Sequence, residues 1–534
     1  MRKIKIHYIV VFALLATLSC AKRGTITGGD KDILPPKITF SSPKNLSTNF
    51  NQKIIKIYFN EYVKIKDLQK QLIVSPPLKR ELTVLPQGGV SKYITIKIND
   101  TLQENTTYSF NFGQSIVDNN EGNAYPQLKY TFSTGNFIDS LSIQGTIKDS
   151  YEKKTDNFVN VMLYEVDQKY TDSTIYKQTP RYVTNTLDSL KTFKLENLKA
   201  GNYKLIALKE ASSNYKYNPN KDKIAFFEKN ITVPDSTIFN LELFKEQPIF
   251  KIKKPTQISG NRVLVGYEGN ASNLKIKATY KNAPLETIIT PFPDKDSVQV
   301  WFKSIKNDSI QLDIENGKYF KKEIVKLGNK RADTLKISNK TSVLKSFDNI
   351  IIGASLPLVK YDATKINLTK KDSSQVIFKL KYDQINQNLE VEFDKEPEEN
   401  YTLQILPKAV EDYLGQVNDS LKFTYSTKPL SDYGNLKLNL QNVKSYPVIV
   451  ELTDAEGKIL ASQYSESVPT IEFLLLEPRK YIIRLIYDAN KNKIRDSGNY
   501  LLKIQPEEVV HFPSEIDVRA NWDVDQNFDA SKSN

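Results

Sequence analysis

The chain has 534 residues and a formal net charge of +13, from 75 Lys and Arg against 62 Asp and Glu. Single hydrophobic cores stop growing at about 250–300 residues, so this length predicts four or five domains. One cysteine excludes internal disulfide staples, and with His7 and Cys20 in the N-terminal segment the rest of the chain holds one histidine, His511, and no cysteine, which excludes a zinc site with several His or Cys ligands within one mature chain.

At the N-terminus, Arg2, Lys3 and Lys5 precede the apolar run Ile9-Val-Val-Phe-Ala-Leu-Leu-Ala16. A bilayer core of about 30 Å needs roughly 20 helical residues, so this shorter run reads as a cleaved export signal. The signal ends at Thr17-Leu18-Ser19-Cys20-Ala21. Leu18 and the small residue before the cysteine resemble the lipobox of bacterial lipoproteins, although Thr17 stands where that family usually has Leu. The resemblance implies a signal peptide over residues 1–19 and a palmitate-type acyl anchor on Cys20 that ties the protein to a membrane. An ordinary secretory signal with an incidental cysteine is the alternative. Ala21 in place of Asp resembles the enterobacterial sorting signal for the outer membrane. Lys22-Arg23 is not the acidic patch of surface-exported lipoproteins, which favours the periplasmic face. Residues 20–31, with three glycines and no periodicity, are expected to be a tether.

Beyond the tether the chain reads as strands. Ile54–Phe59, Gln71–Val74, Tyr93–Ile98, Thr107–Phe112 and Lys129–Ser133 are extended by pattern and separated by Pro, Asn, Asp and Gly turns. Helical periodicity is nearly absent, Val63–Lys70 being the best short candidate. Pro35-Pro36, Ser42-Pro43, Tyr58-Phe59-Asn60-Glu61, Leu102–Tyr108, Asp118–Asn123 and Phe132-Ser-Thr134 together resemble the SbsA-type bacterial Ig-like domain, over residues 32–136. The resemblance implies a structural or binding module of a cell-envelope protein.

The same pattern returns in Glu399–Ile405, Asp412-Tyr-Leu-Gly415 and Phe423–Thr427, predicting a diverged Ig-like copy over 347–428. Gly122 to Phe132 and Gly415 to Tyr425 are both ten residues apart. A second pattern, Ile143–Lys148, Val159–Tyr164 and Leu198–Ala207, resembles prealbumin-like β-sandwich domains and predicts one over 137–246. Leu436–Leu440, Val448–Leu452 and Leu476–Leu485 repeat it, predicting another over 429–525. Residues 247–346 form a strand-rich block of no assigned family, and 526–534 are expected to be a polar tail. The fold class is thus all-β, a linear array of Ig-like and prealbumin-like sandwiches after a lipoprotein signal.

The segment Asp488-Ala-Asn-Lys-Asn-Lys-Ile-Arg-Asp496 is the best candidate site. Side-chain oxygens of Asp488, Asn490, Asn492 and Asp496, with the carbonyl of Ile494, have the spacing of a calcium loop. Lys493 stands where an EF-hand has glycine, and Asn499 replaces its bidentate Glu. The alternative is an Asn/Asp-rich turn after a strand. Glu210, Ser212, Asn214 and Asn218 occupy the matching place in the second domain with poorer donors. Glu396, Glu398 and Glu399 fall in a Pro-bearing turn without a visible cleft for glycosidase chemistry. His511 has no motif context for a catalytic triad. Trp301 and Trp522 suit either core packing or, as an exposed coplanar pair, a sugar platform.

Lysines alternate with apolar residues, as on strands, rather than clustering as a nucleic-acid groove requires. The expected function is therefore a non-enzymatic outer-membrane lipoprotein with no required cofactor, acting as a structural, adhesive or protein-interaction module. Its alternative is a glycan-binding accessory lipoprotein of a nutrient-uptake system. An Asp/Glu-only hydrolase is the third reading.

Overall fold

The computed structural model describes residues 32–186, 191–292, 295–345 and 347–531. These residues form tandem β-sandwiches, the all-β architecture that the strand pattern predicts. The only α-helical segments among them are the single turns Leu68–Gln71 and Thr174–Lys177. The helix expected over Val63–Lys70 is absent from its first half, because the strand Ile54–Ile65 continues through it. Val63 there pairs with both Ser91 and Asp118 and is fully buried, so sheet pairing overrides the local pattern.

In the first sandwich, strands Ile38–Ser42, Ile54–Ile65, Ser91–Lys97 and Thr83–Leu85 lie side by side in that order. Ile73–Ser75, Thr107–Asn111 and Lys129–Ser133 form the facing sheet. Alternation puts Ile55, Ile57, Ile94 and Ile96 inward against Tyr108, Phe110 and Phe132. Burying each of these side chains contributes about 1.5–3 kcal/mol.

The second and fifth sandwiches share a topology that parallel pairing makes distinctive. Leu141–Asp149 pairs antiparallel with Thr192–Leu198 and parallel with Ile238–Leu243. Gly434–Gln441 likewise pairs antiparallel with Thr470–Leu476 and parallel with Asp523–Asp529. The last strand of each sandwich therefore closes on its first. This corrects the polar tail expected over 526–534 in the part that is described. Residues 526–529 belong to the sheet and Phe528 is fully buried against Phe512. Alternating polar residues along that strand conceal it, since Asn435, Asn439 and Asn442 bond Asp523, Asp525 and Asp529 on the solvent side.

The third sandwich packs Val263, Val265 and Val300 against Ile310, Leu312 and Ile314. The fourth begins before residue 347, because Ile337–Asn339 pairs with Ile350–Ala354 and Leu335 packs on its core. First and fourth share their corner chemistry. The Tyr108 hydroxyl accepts from the Gln103 N–H at 2.9 Å, as Tyr401 does from Glu396 at 2.7 Å. Thr134 and Thr427 donate to the carbonyls of those same two residues, each at 2.6 Å. Gly122 and Gly415 both sit at φ +82°, a conformation that costs only glycine nothing.

Contacts join first to second, third to fourth and fourth to fifth sandwiches, through Lys129–Glu196, Asn261–Tyr413 and Lys345–Glu477, and the array also folds back. The fifth sandwich lies against the second, on the outer face of the sheet Tyr182–Asn185, Asn160–Glu165, Gly201–Lys209, Lys223–Phe226.

Candidate functional site

The loop after strand Arg479–Tyr487 is where the calcium expectation and the fold-back meet. Asp488 is 1% exposed, and its two carboxylate oxygens accept the N–H groups of Asn492 at 3.1 Å and Lys493 at 2.9 Å. Asn490 accepts from the Asn492 N–H at 3.1 Å, and Asn492 from the Ile494 N–H at 3.0 Å. The amides of Asn490 and Asn492 both donate to Asp496. Glu507, which sequence spacing did not single out, closes the loop by accepting the N–H groups of Ala489 at 2.8 Å and Asp496 at 2.9 Å.

Four of the five predicted ligands, Asp488, Asn490, Asn492 and Asp496, are thus joined in one hydrogen-bonded loop, and the side chain of the fifth, Ile494, is exposed. Side-chain oxygens of Asp488, Asn490, Asn492 and Asp496 already accept N–H donors. Of the loop's cations, Lys493 lies over the Tyr464 ring at 5.0 Å and Arg495 over the Tyr151 ring at 4.7 Å. Among the described residues no three His, Cys, Asp or Glu side chains are arranged to hold a metal. The loop as it stands is a hydrogen-bonded clamp.

The second sandwich carries the same clamp. Glu210 accepts the N–H groups of Asn214 and Tyr215, each at 2.8 Å, as Asp488 does from Asn492 and Lys493. Asp222 accepts those of Ala211 at 2.9 Å and Asn218 at 2.8 Å, as Glu507 does from Ala489 and Asp496. The Glu210 carboxyl is pushed up from its ordinary value by burial, against these N–H bonds and that of Asn160. Shared spacing in the sequence therefore corresponds to a shared way of holding a long turn.

The stretch after the clamp docks onto the second sandwich. Arg495 donates to the Ser150 hydroxyl at 2.8 Å, and Gln505 to the Phe226 carbonyl at 3.1 Å. Ser497 donates to the Lys245 carbonyl. Gly498 is required there by close approach, since a Cβ would stand 2.7 Å from the Phe244 ring and 2.8 Å from the Ile504 carbonyl. Tyr500 is fully buried, its ring edge-on to Phe226 at 5.3 Å, its N–H on Glu246, and its hydroxyl 3.2 Å from that of Tyr170.

Beside this plug lies a buried ionic centre. Arg484, 1% exposed, pairs with Glu451 at 2.6 Å and with Glu152 of the second sandwich at 3.3 Å. Its guanidinium lies 3.6 Å from the Tyr151 ring centroid, and Tyr151 donates its hydroxyl to Glu451 at 3.1 Å. Burial chiefly raises the Tyr151 phenol, to about 12. The His511 Nε2–H donates to the Tyr151 carbonyl at 3.1 Å, a carbonyl being able only to accept. Burial holds this imidazole down at about 4, with Arg484 and Lys153 lowering it further against the carbonyl bond. His511 is thus a packed, neutral donor.

The other sequence candidates are dispersed. Cys20 lies outside the described residues. Trp301 is fully buried and donates to the Thr290 hydroxyl at 2.9 Å, whereas Trp522 is 58% exposed beside Arg519. The two tryptophans do not pair. Glu396 and Glu398 sit in an exposed turn, where Glu396 pairs with Lys370.

A broad cleft of about 770 Å³ opens between the first and second sandwiches. Its walls carry amide and hydroxyl groups, among them Ser109, Asn111, Gln144, Thr146 and Thr192, around the Lys129–Glu196 ion pair at 2.6 Å. Sequence reasoning could not find it, because its two walls come from separate domains.

Residues 32–134 match the family model of the bacterial Ig-like domain Big_5. The chain therefore carries a bacterial Ig-like domain at its start. A search of curated proteins returns no match. Among solved structures, the chain is similar at 12% identity to the I-band fragment I67-I69 from titin, over 45% of this chain and 93% of that one, with a TM-score of 0.13. It is similar at 11% to surface layer protein SbsC, domains 1–6, over 91% and 67%, with a TM-score of 0.15. A third likeness, also at 11%, is to the Bacteroides ovatus mixed-linkage glucan utilization locus protein SGBP-B in complex with a mixed-linkage heptasaccharide. It covers 71% of this chain and 91% of that one, with a TM-score of 0.19. TM-scores this low carry no inference about how the domains are arranged or what they bind.

Proposed function

We propose that this protein is a non-enzymatic lipoprotein of the cell envelope, anchored through Cys20 to the outer membrane and serving there as a structural, adhesive or protein-interaction module. The periplasmic face is the preferred side. The observation that carries the non-catalytic part is the fate of its polar chemistry. His511 is held neutral on a backbone carbonyl, and Glu451 and Arg484 neutralise each other inside a domain contact. Asp118 spends its carboxylate on the N–H groups of Glu121, Gly122 and Asn123. Side chains that would otherwise serve as acid, base or electrostatic stabiliser hold turns and interfaces instead.

The anchor is supported by the lipobox-like sequence and is tested by Cys20→Ser. The variant should leave the detergent phase or retain its signal, and unchanged partitioning would remove the anchor. Crosslinking in intact cells, followed by identification of the attached partners, then tests the module.

A second reading, a glycan-binding accessory lipoprotein, is favoured by the cleft between the first two sandwiches. Its amide and hydroxyl walls suit a neutral polyol, and its volume falls within the range of small-molecule sites. Glycan arrays decide it.

A further inference from the structure

The outer face of the first sheet is apolar where a solvated sheet should be polar. Register puts Phe40 opposite Tyr58, and Tyr58 opposite Tyr93, on adjacent strands. Ring centroids are 5.8 Å and 5.3 Å apart along this row. Phe40 is 61% exposed and Tyr93 41%. Ile54 and Leu85 share the face at 50% and 47% exposed. The remaining positions of that register are Lys56, Lys97, Ser42, Thr83 and Thr95, with no carboxylate among them. The Lys56 ammonium lies 5.5 Å from the Tyr93 ring, and that of Lys92 lies 5.4 Å from Tyr62.

The face has a direction. Asn123 holds the start of the described chain by donating to the carbonyls of Asp32 and Leu34. The neighbouring Asn119 N–H bonds the Tyr62 carbonyl at 2.9 Å. Exposed Ile33, Leu34 and Tyr62 thus gather at the end where the chain leaves toward Cys20. Asp32, Glu61 and Glu121 border this end against Lys37, Lys64 and Lys92. The twelve residues 20–31 span at most about 43 Å however they are arranged.

We propose that this aromatic and lysine face lies on the surface of an anionic lipid bilayer, orienting the first sandwich against the membrane. The inference rests on the anchored reading for its geometry. Exposed Phe, Tyr and Ile partition into the headgroup boundary, and uncompensated lysines are drawn to anionic lipid. A sugar platform would ask for coplanar rings, whereas these are tilted by 40° and 41°. A bilayer boundary makes no such demand.

The test uses residues 21–534 without an acyl group, floated with vesicles of phosphatidylglycerol and phosphatidylethanolamine or of phosphatidylcholine alone. Binding should be strong only to the anionic vesicles and should weaken with salt. Lys56→Glu with Lys97→Glu should weaken it by at least about fivefold for each lysine reversed, and Phe40→Ser with Tyr93→Ser should weaken it at least as much. These sites are on the surface, so unchanged melting confirms that the variants fold. Absence of anionic-vesicle binding, or binding indifferent to both pairs, would overturn the proposal. So would a polysaccharide that binds the chain and is lost with the same variants. Because no acyl chain is present, a failure here leaves the Cys20 anchor standing, and failure of the Cys20→Ser test leaves the vesicle result standing.

Discussion

Tyr500→Ala should release the fifth sandwich from the second while leaving both folded. Tyr500 sits on a loop of the fifth sandwich, yet its buried neighbours are Phe226, Phe244 and Ile224 of the second. An aromatic side chain buries on the order of 150–250 Å², worth roughly 4–6 kcal/mol at about 25 cal/mol/Å². Aromatic truncations in packed sites cost about 3–5 kcal/mol, so the two estimates agree near 4 kcal/mol. At about 1.4 kcal/mol per factor of ten, the docking equilibrium should weaken by nearly three powers of ten. Small-angle scattering should report a larger radius of gyration. Amide exchange should show loss of protection at Tyr500, whose N–H is held by Glu246. Tyr500→Phe keeps the ring and loses the hydroxyl contacts to Tyr170 and Asp172, at about 1 kcal/mol each or less, and should stay docked. An unchanged scattering profile for the alanine variant would refute the docking role. Unfolding of the fifth sandwich would show that Tyr500 serves that domain's own core.

Arg484→Met leaves the buried Glu451 with the Tyr151 hydroxyl but no cation, and should cost about 3–5 kcal/mol in the unfolding transition of the fifth sandwich, measured with urea; adding Glu451→Gln should recover much of the loss. His511 is held near 4 in the folded state against an ordinary 6.5, so the folded state binds fewer protons between those values. Stability should therefore be full above about pH 6.5, fall as pH drops toward 4, and level off below, by about 3 kcal/mol in all. The difference in urea midpoint between the protein and His511→Gln across pH 4–7 isolates this slope, and identical slopes would remove the histidine from it. Millimolar calcium should shift the melting temperature by less than about a degree, since the side-chain oxygens of Asp488, Asn490, Asn492 and Asp496 already accept N–H donors. A rise of several degrees reversed by chelation would restore the cation.

Period-two alternation and turn residues made the sandwiches readable, because a strand with one buried face must write that face into every second residue. The ten-residue spacing from Gly122 to Phe132 and from Gly415 to Tyr425 marked the corner geometry that first and fourth sandwiches share for the same local reason: a turn needing positive φ admits few residues. The spacing of Asp488, Asn490, Asn492 and Asp496 marked a genuine turn. What it could not convey was the direction of each hydrogen bond, on which the choice between cation ligand and N–H acceptor depends. Glu507 escaped notice because eleven residues separate it from Asp496, and only the fold returns it.

The fold-back itself had no sequence signature. Tyr500, Arg484 and Glu451 look like ordinary residues of their own strand or loop, and their partners Phe226, Tyr151 and Glu152 lie more than 250 residues away. Local order is set by neighbours in the chain, which the sequence states directly. Docking depends on complementary shape and charge between surfaces that exist only after each sandwich has formed. The sequence alone determined that this protein is a string of β-sandwiches with one cysteine and two histidines. The tertiary structure decided that the string closes upon its second member, where buried charge and one tyrosine hold it.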